Sequence, residues 1–193
     1  MEPILISACL LGAACRYDGG SKPVLSVEAL MGRYQLVPVC PEQLGGLPTP
    51  REPSERQGDL VVMKSGADVT AQYQRGAEQA LHLARVFGCK KAVLKERSPS
   101  CGSGEIYDGT FSGKLTPGDG VTAALFKKNG IEVFGESHVN EIAKQYGIPH
   151  TAALPIDRKL AASADKGMIE LTNGDWLDEI ANAIDQLQPR ERK

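Results

Sequence analysis

A chain of 193 residues with 24 acidic and 22 basic side chains carries a formal charge of −2 at neutral pH, and 41% of its residues are apolar. That length suits one domain of ordinary size with an appendage, and the apolar share suffices for a full core. The slight acidic balance leaves no footprint for stable nucleic-acid binding. No apolar run approaches the ~20 residues of a membrane helix, and Met1-Glu-Pro-Ile-Leu5 lacks the basic segment of a secretory signal, so none is expected.

In chain order, the apolar run over 3–7 predicts a strand that leaves into Ser7-Ala-Cys9-Leu-Leu-Gly12 and a long glycine-rich loop. Ser26 is the expected cap of a short helix over 27–33, with Glu28 in its first turn. A strand over 35–39 runs into Cys40-Pro-Glu42, and the prolines and glycines of 40–56 predict an irregular segment. Leu60-Val-Val-Met63 predicts a small strand followed by a turn over 64–68. Thr70 is the expected N-cap of the clearest helix, over 71–87. Its apolar stripe is Tyr73, Ala77, Ala80, Leu81, Ala84 and Phe87, and Gly88 ends it.

A buried strand over 91–94 then enters Glu96-Arg-Ser-Pro-Ser-Cys-Gly-Ser-Gly104. Asp108-Gly109, between 105–107 and 110–111, predicts a hairpin. Asp119 is the expected cap of a helix over 120–128, before a strand over 131–134. Strand, helix and strand in this order imply parallel crossovers. The expected fold is therefore α/β: an open, mostly parallel sheet flanked by helices, with a small β-hairpin. Beyond residue 136 the texture changes, and a helix to about 146, a strand over 148–154 and helices over 157–164 and 175–187 are expected as a C-terminal α/β extension packed on the same sheet.

Three predicted strands end in a cysteine. Ligands of open α/β sheets sit outside the carboxyl ends of the strands, which brings Cys9, Cys40 and Cys101 toward one place. The five cysteines are odd in number and lack the spacing of a secreted disulfide scaffold, which points to a reduced, cytoplasmic protein. Any one cysteine alone reads first as an inert core residue, whereas three, each at a strand exit beside Gly or Pro, point to metal or cluster ligation. Structural zinc favours four ligands in close pairs, which are absent here, whereas three thiolates suit an iron–sulfur cluster with one open iron. Cys15 is the rival fourth ligand, and Cys89, behind Gly88 on the opposite side of the sheet, reads as packing.

Glu42 lies two residues from Cys40 in a proline-crowded loop, a setting that suits proton transfer or, more simply, the capping of a local amide. Ser98 and Ser100 are candidates to orient water or substrate, or else ordinary turn residues. Arg16, Arg51 and Lys95, with Arg97, flank the same loops as candidate substrate-binding cations, with solvation as the default reading. His82, His138 and His150 have no partner at ligand spacing and read as structural or exposed.

Five ordered blocks carry a resemblance. They are Cys9-Leu-Leu-Gly12 with Cys15-Arg-Tyr-Asp-Gly19, Val39-Cys-Pro-Glu-Gln-Leu-Gly-Gly46-Leu-Pro-Thr-Pro-Arg51, Lys95-Glu-Arg-Ser-Pro-Ser-Cys-Gly102, Ile106-Tyr-Asp-Gly109 and Gly118-Asp-Gly-Val-Thr-Ala-Ala-Leu125. Together, over about residues 1–136, they resemble the TudS-type thiouracil desulfidase family. The resemblance implies a Rossmann-like domain with a [4Fe-4S] cluster on three cysteines, which fall here on Cys9, Cys40 and Cys101. It implies non-redox removal of sulfur from a 2-thiouracil or 4-thiouracil type pyrimidine, giving the oxo base and sulfide. It also implies an assisting glutamate, on Glu42, and a serine, on Ser98 with Ser100 the weaker choice.

Residues 137–193 resemble the end of Mrp/MinD-like P-loop ATPases through Gly135-Glu-Ser-His-Val-Asn-Glu-Ile-Ala143 and Ala164-Asp-Lys-Gly-Met-Ile-Glu170, but no Gly-rich Lys-Ser/Thr loop is present, so no ATPase activity is expected. Longer family members that act on tRNA carry a different added domain. Its absence favours a free thiolated base or nucleoside as substrate, taken by a monomer or small homo-oligomer. The rival readings are a non-enzymatic iron–sulfur carrier and a zinc-binding module.

Overall fold

The computed structural model describes residues 1–24, 27, 30–134, 143–144, 147–151 and 182. The expected Ser26 cap, His138 and nearly all of the predicted C-terminal elements lie outside the described residues. The chain divides into two units, Met1–Glu136 and Ser137–Lys193, and the architecture below is that of the first.

The described strands are β1 (Glu2–Ser7), β2 (Tyr34–Val39), β3 (Ser54–Gln57), β4 (Leu60–Met63), β5 (Lys91–Val93), β6 (Glu105–Tyr107), β7 (Leu115–Pro117) and β8 (Glu132–Phe134). The helices are α1 (Pro41–Leu44), α2 (Thr70–Val86) and α3 (Val121–Lys128), with a 3-10 turn over Ala8–Leu11. Four strands form a parallel sheet in the order β2-β1-β5-β8. The chain starts in the middle, adds β2 on one side and then crosses to the other. A topological switch point therefore lies between β1 and β5, and a crevice opens there at the carboxyl ends.

Burial on both faces explains the continuous apolar run of β1. Leu5, with Val37, Val39, Ala92 and Leu94, packs on Ala80, Leu81 and Ala84 of α2 and Phe126 of α3. Ile4, Ile6 and Val93 face the other way, toward Leu10 and Val27. The alternation follows the strand period.

The α2 stripe is buried at Tyr73, Ala77, Ala80, Leu81 and Ala84. Phe87 departs from expectation. It stands one residue past the helix and is 46% exposed, because the chain turns there toward Gly88 instead of continuing the stripe. Gly76 is buried where α1 crosses α2, and a Cβ there would run into the Pro41 carbonyl. This close approach seats the start of α1 on α2.

Four local expectations are corrected. Residues 40–56 are not wholly irregular: they hold α1, with Pro41 at a favourable first position, and β3, which pairs antiparallel with β4. Thr70 is inside α2 rather than its cap. The Asp68 carboxylate accepts from the Thr70 N–H at 2.8 Å, and the Thr70 hydroxyl accepts from the Val61 N–H at 2.9 Å. β6 pairs with Leu115–Pro117 rather than with 110–111. Asp108 closes a side-chain turn onto the Thr110 N–H at 3.0 Å, and the Phe111 N–H and Gly109 carbonyl bond to Glu55 and Gln57 of β3, so this loop docks on β3 instead of folding back tightly. Finally, Gly120, not Asp119, precedes α3. The Asp119 carboxylate accepts from the Gly104 N–H at 2.7 Å and from Lys127 Nζ at 2.6 Å.

Candidate active site

Three strand exits deliver three cysteines to one cavity of about 520 Å³ at the carboxyl ends of the sheet. β1 runs into the 3-10 turn that holds Cys9, and the Lys22 N–H returns to the Cys9 carbonyl at 2.9 Å. Cys40 is extended between β2 and α1. Cys101 follows β5 in a turn built by Ser98, whose Oγ accepts from the N–H groups of Ser100 at 3.0 Å and Cys101 at 3.1 Å.

The start of α3 locks this turn. A helix begins with N–H groups that have no partner of their own. Here Val121 N–H bonds to the Pro99 carbonyl and Thr122 N–H to the Ser100 carbonyl, each at 2.9 Å, and Gly120 N–H to the Gly102 carbonyl at 2.7 Å. A Cβ on Gly120 would run into the Ser100 carbonyl, so only glycine lets the helix come this close. The buried Ser100 hydroxyl pairs with that of Thr122 at 2.8 Å and does not line the cavity.

Cys15 also lines the cavity, and the Cys40 thiol donates to the Cys15 carbonyl at 3.7 Å. Burial, then the charge of Cys40, raises the pKa of Cys9 and pushes that of Cys15 up to about 12. Burial also raises Cys101, with Glu42, Cys9 and Cys40 adding to it against a hydrogen bond from Ser7. As anions these sulfurs repel one another, so the donor set is chemically matched to a cationic iron centre that takes up the charge. Among the described residues no three His, Cys, Asp or Glu side chains stand close enough to hold a single metal ion. Three thiols from three separate loops, with no close Cys pair, are a donor set that suits a cluster with one open iron.

Glu42 enters the same cavity from α1. Arg51 holds its Oε2, with Nε at 2.8 Å and Nη2 at 2.6 Å, and the Ser98 hydroxyl donates to Oε1 at 3.3 Å. The Tyr73 hydroxyl lies behind them. Burial, and then the Glu42 charge, pushes its pKa well upward.

Arg16 and Lys95 line the cavity as well. Arg16 pairs with Asp18 at 3.0 Å and lies over the Tyr17 ring, 5.9 Å from its centre, while Lys95 Nζ donates to the Glu96 carbonyl at 3.1 Å. Cys89 sits at the other end of β5 in the core, and His82 and His150 are exposed. Two residues at the site escaped the sequence reading. Tyr73 hides in a core stripe at helical spacing. Ser7, whose Oγ accepts from the Lys95 N–H at 2.9 Å and so ties β1 to the Cys101 loop, carries only the weak signal of a serine at a strand end.

A family model for the 2-thiouracil desulfurases matches residues 4–138. The chain is 45% identical over 149 residues to the uncharacterized protein YbbK of Bacillus subtilis (strain 168), covering 72% of this chain and 99% of that one. It is also similar to the solved structure of the [4Fe-4S]-dependent thiouracil desulfidase TudS, with 51% identity, a TM-score of 0.68, and coverage of 77% of this chain and 99% of that one.

Proposed function

The chain belongs to the 2-thiouracil desulfurase family, and on that premise we propose that it is a [4Fe-4S]-dependent desulfidase that converts a 2-thiouracil or 4-thiouracil type base or nucleoside into the oxo compound and sulfide. The observation that carries this reading is the convergence of Cys9, Cys40, Cys101 and Glu42 on one cavity at the switch point of the sheet. Cys9, Cys40 and Cys101 would hold the cluster. Cys15 is left out of the set, because it lies in the loop beyond the 3-10 turn rather than at a strand exit. A cluster held by three thiolates supplies one open iron, a soft Lewis acid toward the sulfur of a thiocarbonyl.

The protein groups account for the protons. Glu42 Oε1, the oxygen not held by Arg51, takes a proton from the water whose oxygen bonds to the ring carbon bearing sulfur. The proton is returned as the carbon–sulfur bond breaks. Water oxygen replaces sulfur and both water hydrogens leave as hydrogen sulfide, so no electrons enter or leave. Ser98 steadies Oε1 and the attacking water. Arg16 and Lys95 are the cations placed to meet polar edges of the substrate. The function is assigned to the domain over 1–136, with 137–193 an extension that performs no step. We assign the protein to the cytoplasm, where a reducing medium keeps its thiols free, as a monomer or small homo-oligomer without nucleic-acid partners. No helix among the described residues is long and apolar enough to cross a membrane.

Anaerobic reconstitution followed by sulfide assays with 2-thiouracil and 4-thiouracil tests the reading. Iron loading, visible absorption and catalytic sulfide release are expected together. An iron-loaded chain that releases no sulfide from any thiopyrimidine, yet passes its cluster to an apo-acceptor, would be a carrier. Bound zinc without visible absorption would make it a zinc module.

A further inference from the structure

We propose that Arg51 is a positioning residue for Glu42 rather than a contact for substrate. The inference rests on the reading that Glu42 moves the protons. A guanidinium has five N–H donors and no acceptor, and every nitrogen of Arg51 already donates to a protein oxygen. Nε donates to Glu42 Oε2 at 2.8 Å, and Nη2 pairs with the same oxygen at 2.6 Å. Nη2 donates to the Cys15 carbonyl at 3.1 Å, and Nη1 donates to the Pro48 carbonyl and the Thr49 hydroxyl, both at 3.1 Å. Its side chain is 3% exposed, against 13% for that of Glu42. All three nitrogens of the fork are thus engaged by the protein.

The wiring has a direction. Arg51 is anchored at both ends of its fork by the 48–49 loop and by the loop that carries Cys15, and so presents a fixed cation to one oxygen of Glu42. Oε2 is committed to that cation. Oε1 is thereby turned toward Ser98 and the cavity, in one rotamer, before substrate arrives. Lysine cannot reproduce this, since it lacks the planar fork. Thr49 is a second handle on the same device, because its hydroxyl also accepts from Gln43 of α1 at 2.9 Å and ties the arginine's anchor to the helix that bears Glu42.

A double-mutant cycle on the reconstituted protein tests this, with iron content and the dissociation constant for 2-thiouracil measured beside turnover. Arg51→Gln is expected to keep iron and thiouracil affinity within about twofold and to lower kcat by roughly 10²-fold, the scale of a misplaced catalytic group. Arg51→Lys should recover only a minor part of that loss, and Thr49→Val should cost about threefold. In a Glu42→Gln background, Arg51→Gln should add less than about twofold, since a residue that works through Glu42 has nothing left to position. A rise in KM at unchanged kcat would make Arg51 a substrate contact and overturn the proposal, as would full losses from both substitutions that simply multiply. If Arg51→Gln fails to load iron, the same cycle with Thr49→Val decides by the same non-additivity. Normal turnover in Glu42→Gln would instead remove the parent reading, while an inactive Glu42→Gln beside a fully active Arg51→Gln would sink this proposal alone.

Discussion

Cys89 and Cys101 stand at opposite ends of β5 and are almost equally buried, at 3% and 6% exposure. Cys89 precedes the strand and packs in the core near Ala84 and Ile131, and burial is what raises its pKa. Cys101 follows the strand, and its pKa is raised by burial first, with Glu42, Cys9 and Cys40 of other elements adding to it against a hydrogen bond from Ser7. Burial does not distinguish these two cysteines. The end of the strand does, because only the carboxyl ends of a parallel sheet gather loops from neighbouring strands around one crevice.

Substitution at the two ends sharpens that contrast most. Cys101→Ala, Cys9→Ala and Cys40→Ala are each expected to lose iron and to lower sulfide release to background. Cys89→Ala should keep both and cost about 1 kcal/mol of stability. Cys15→Ala should keep its iron. Iron content and sulfide release of the purified variants are the check. A Cys40→Ala chain with a full cluster and full rate would break the comparison, and iron loss in Cys15→Ala would argue for a closed four-thiolate site.

Ser98 and Ser100 repeat the contrast two residues apart. Ser98→Ala removes the acceptor for two N–H groups of the Cys101 turn and the donor to Glu42 Oε1. It should lower iron content and reduce turnover per iron by roughly 10-fold, less than loss of the Glu42 carboxylate. Ser100→Ala leaves only the Thr122 hydroxyl unpaired in the core. It should cost about 1–2 kcal/mol of stability with turnover per iron unchanged. Equal kinetic effects would erase the distinction between the two serines.

Asp119 should show the smallest effect. Burial works against its charge, but the bonds from Lys127 and the Gly104 N–H prevail, and its pKa is lowered from the ordinary 3.8. A lowered folded pKa means stability that is present above about 3.8 and lost as pH falls through the folded value. Asp119→Asn should therefore cost about 1 kcal/mol at pH 7 and progressively less below pH 4, read from urea midpoints. A cost that does not change with pH would show that the carboxylate's charge is irrelevant to how α3 clamps the Cys101 loop.

Much of this was legible in the residues alone. The apolar runs of β1, β2 and β5, each ending in cysteine, specify a parallel sheet with thiols at one end, since a strand buried on both faces needs no alternation and its exit is marked by Gly and Pro. The α2 stripe and the Gly88 stop follow from helical period and from glycine's freedom. What was not legible depends on partners far away in sequence. β7 was missed because the Asp108 loop is captured by β3, some fifty residues earlier in the chain. Asp119 looks like a cap until Lys127 and Gly104 compete for it. Arg51, Lys95 and Arg16 are alike as sequence, three cations beside three loops. Only the folded chain brings Glu42, Cys15, Pro48 and Thr49 around one of them. Local sequence determines which way a strand faces and where it stops, because those follow from period and backbone freedom. Which charge meets which is decided by tertiary structure, because hydrogen bonds and ion pairs form at contact distance and carry no period by which they can be recognised in advance.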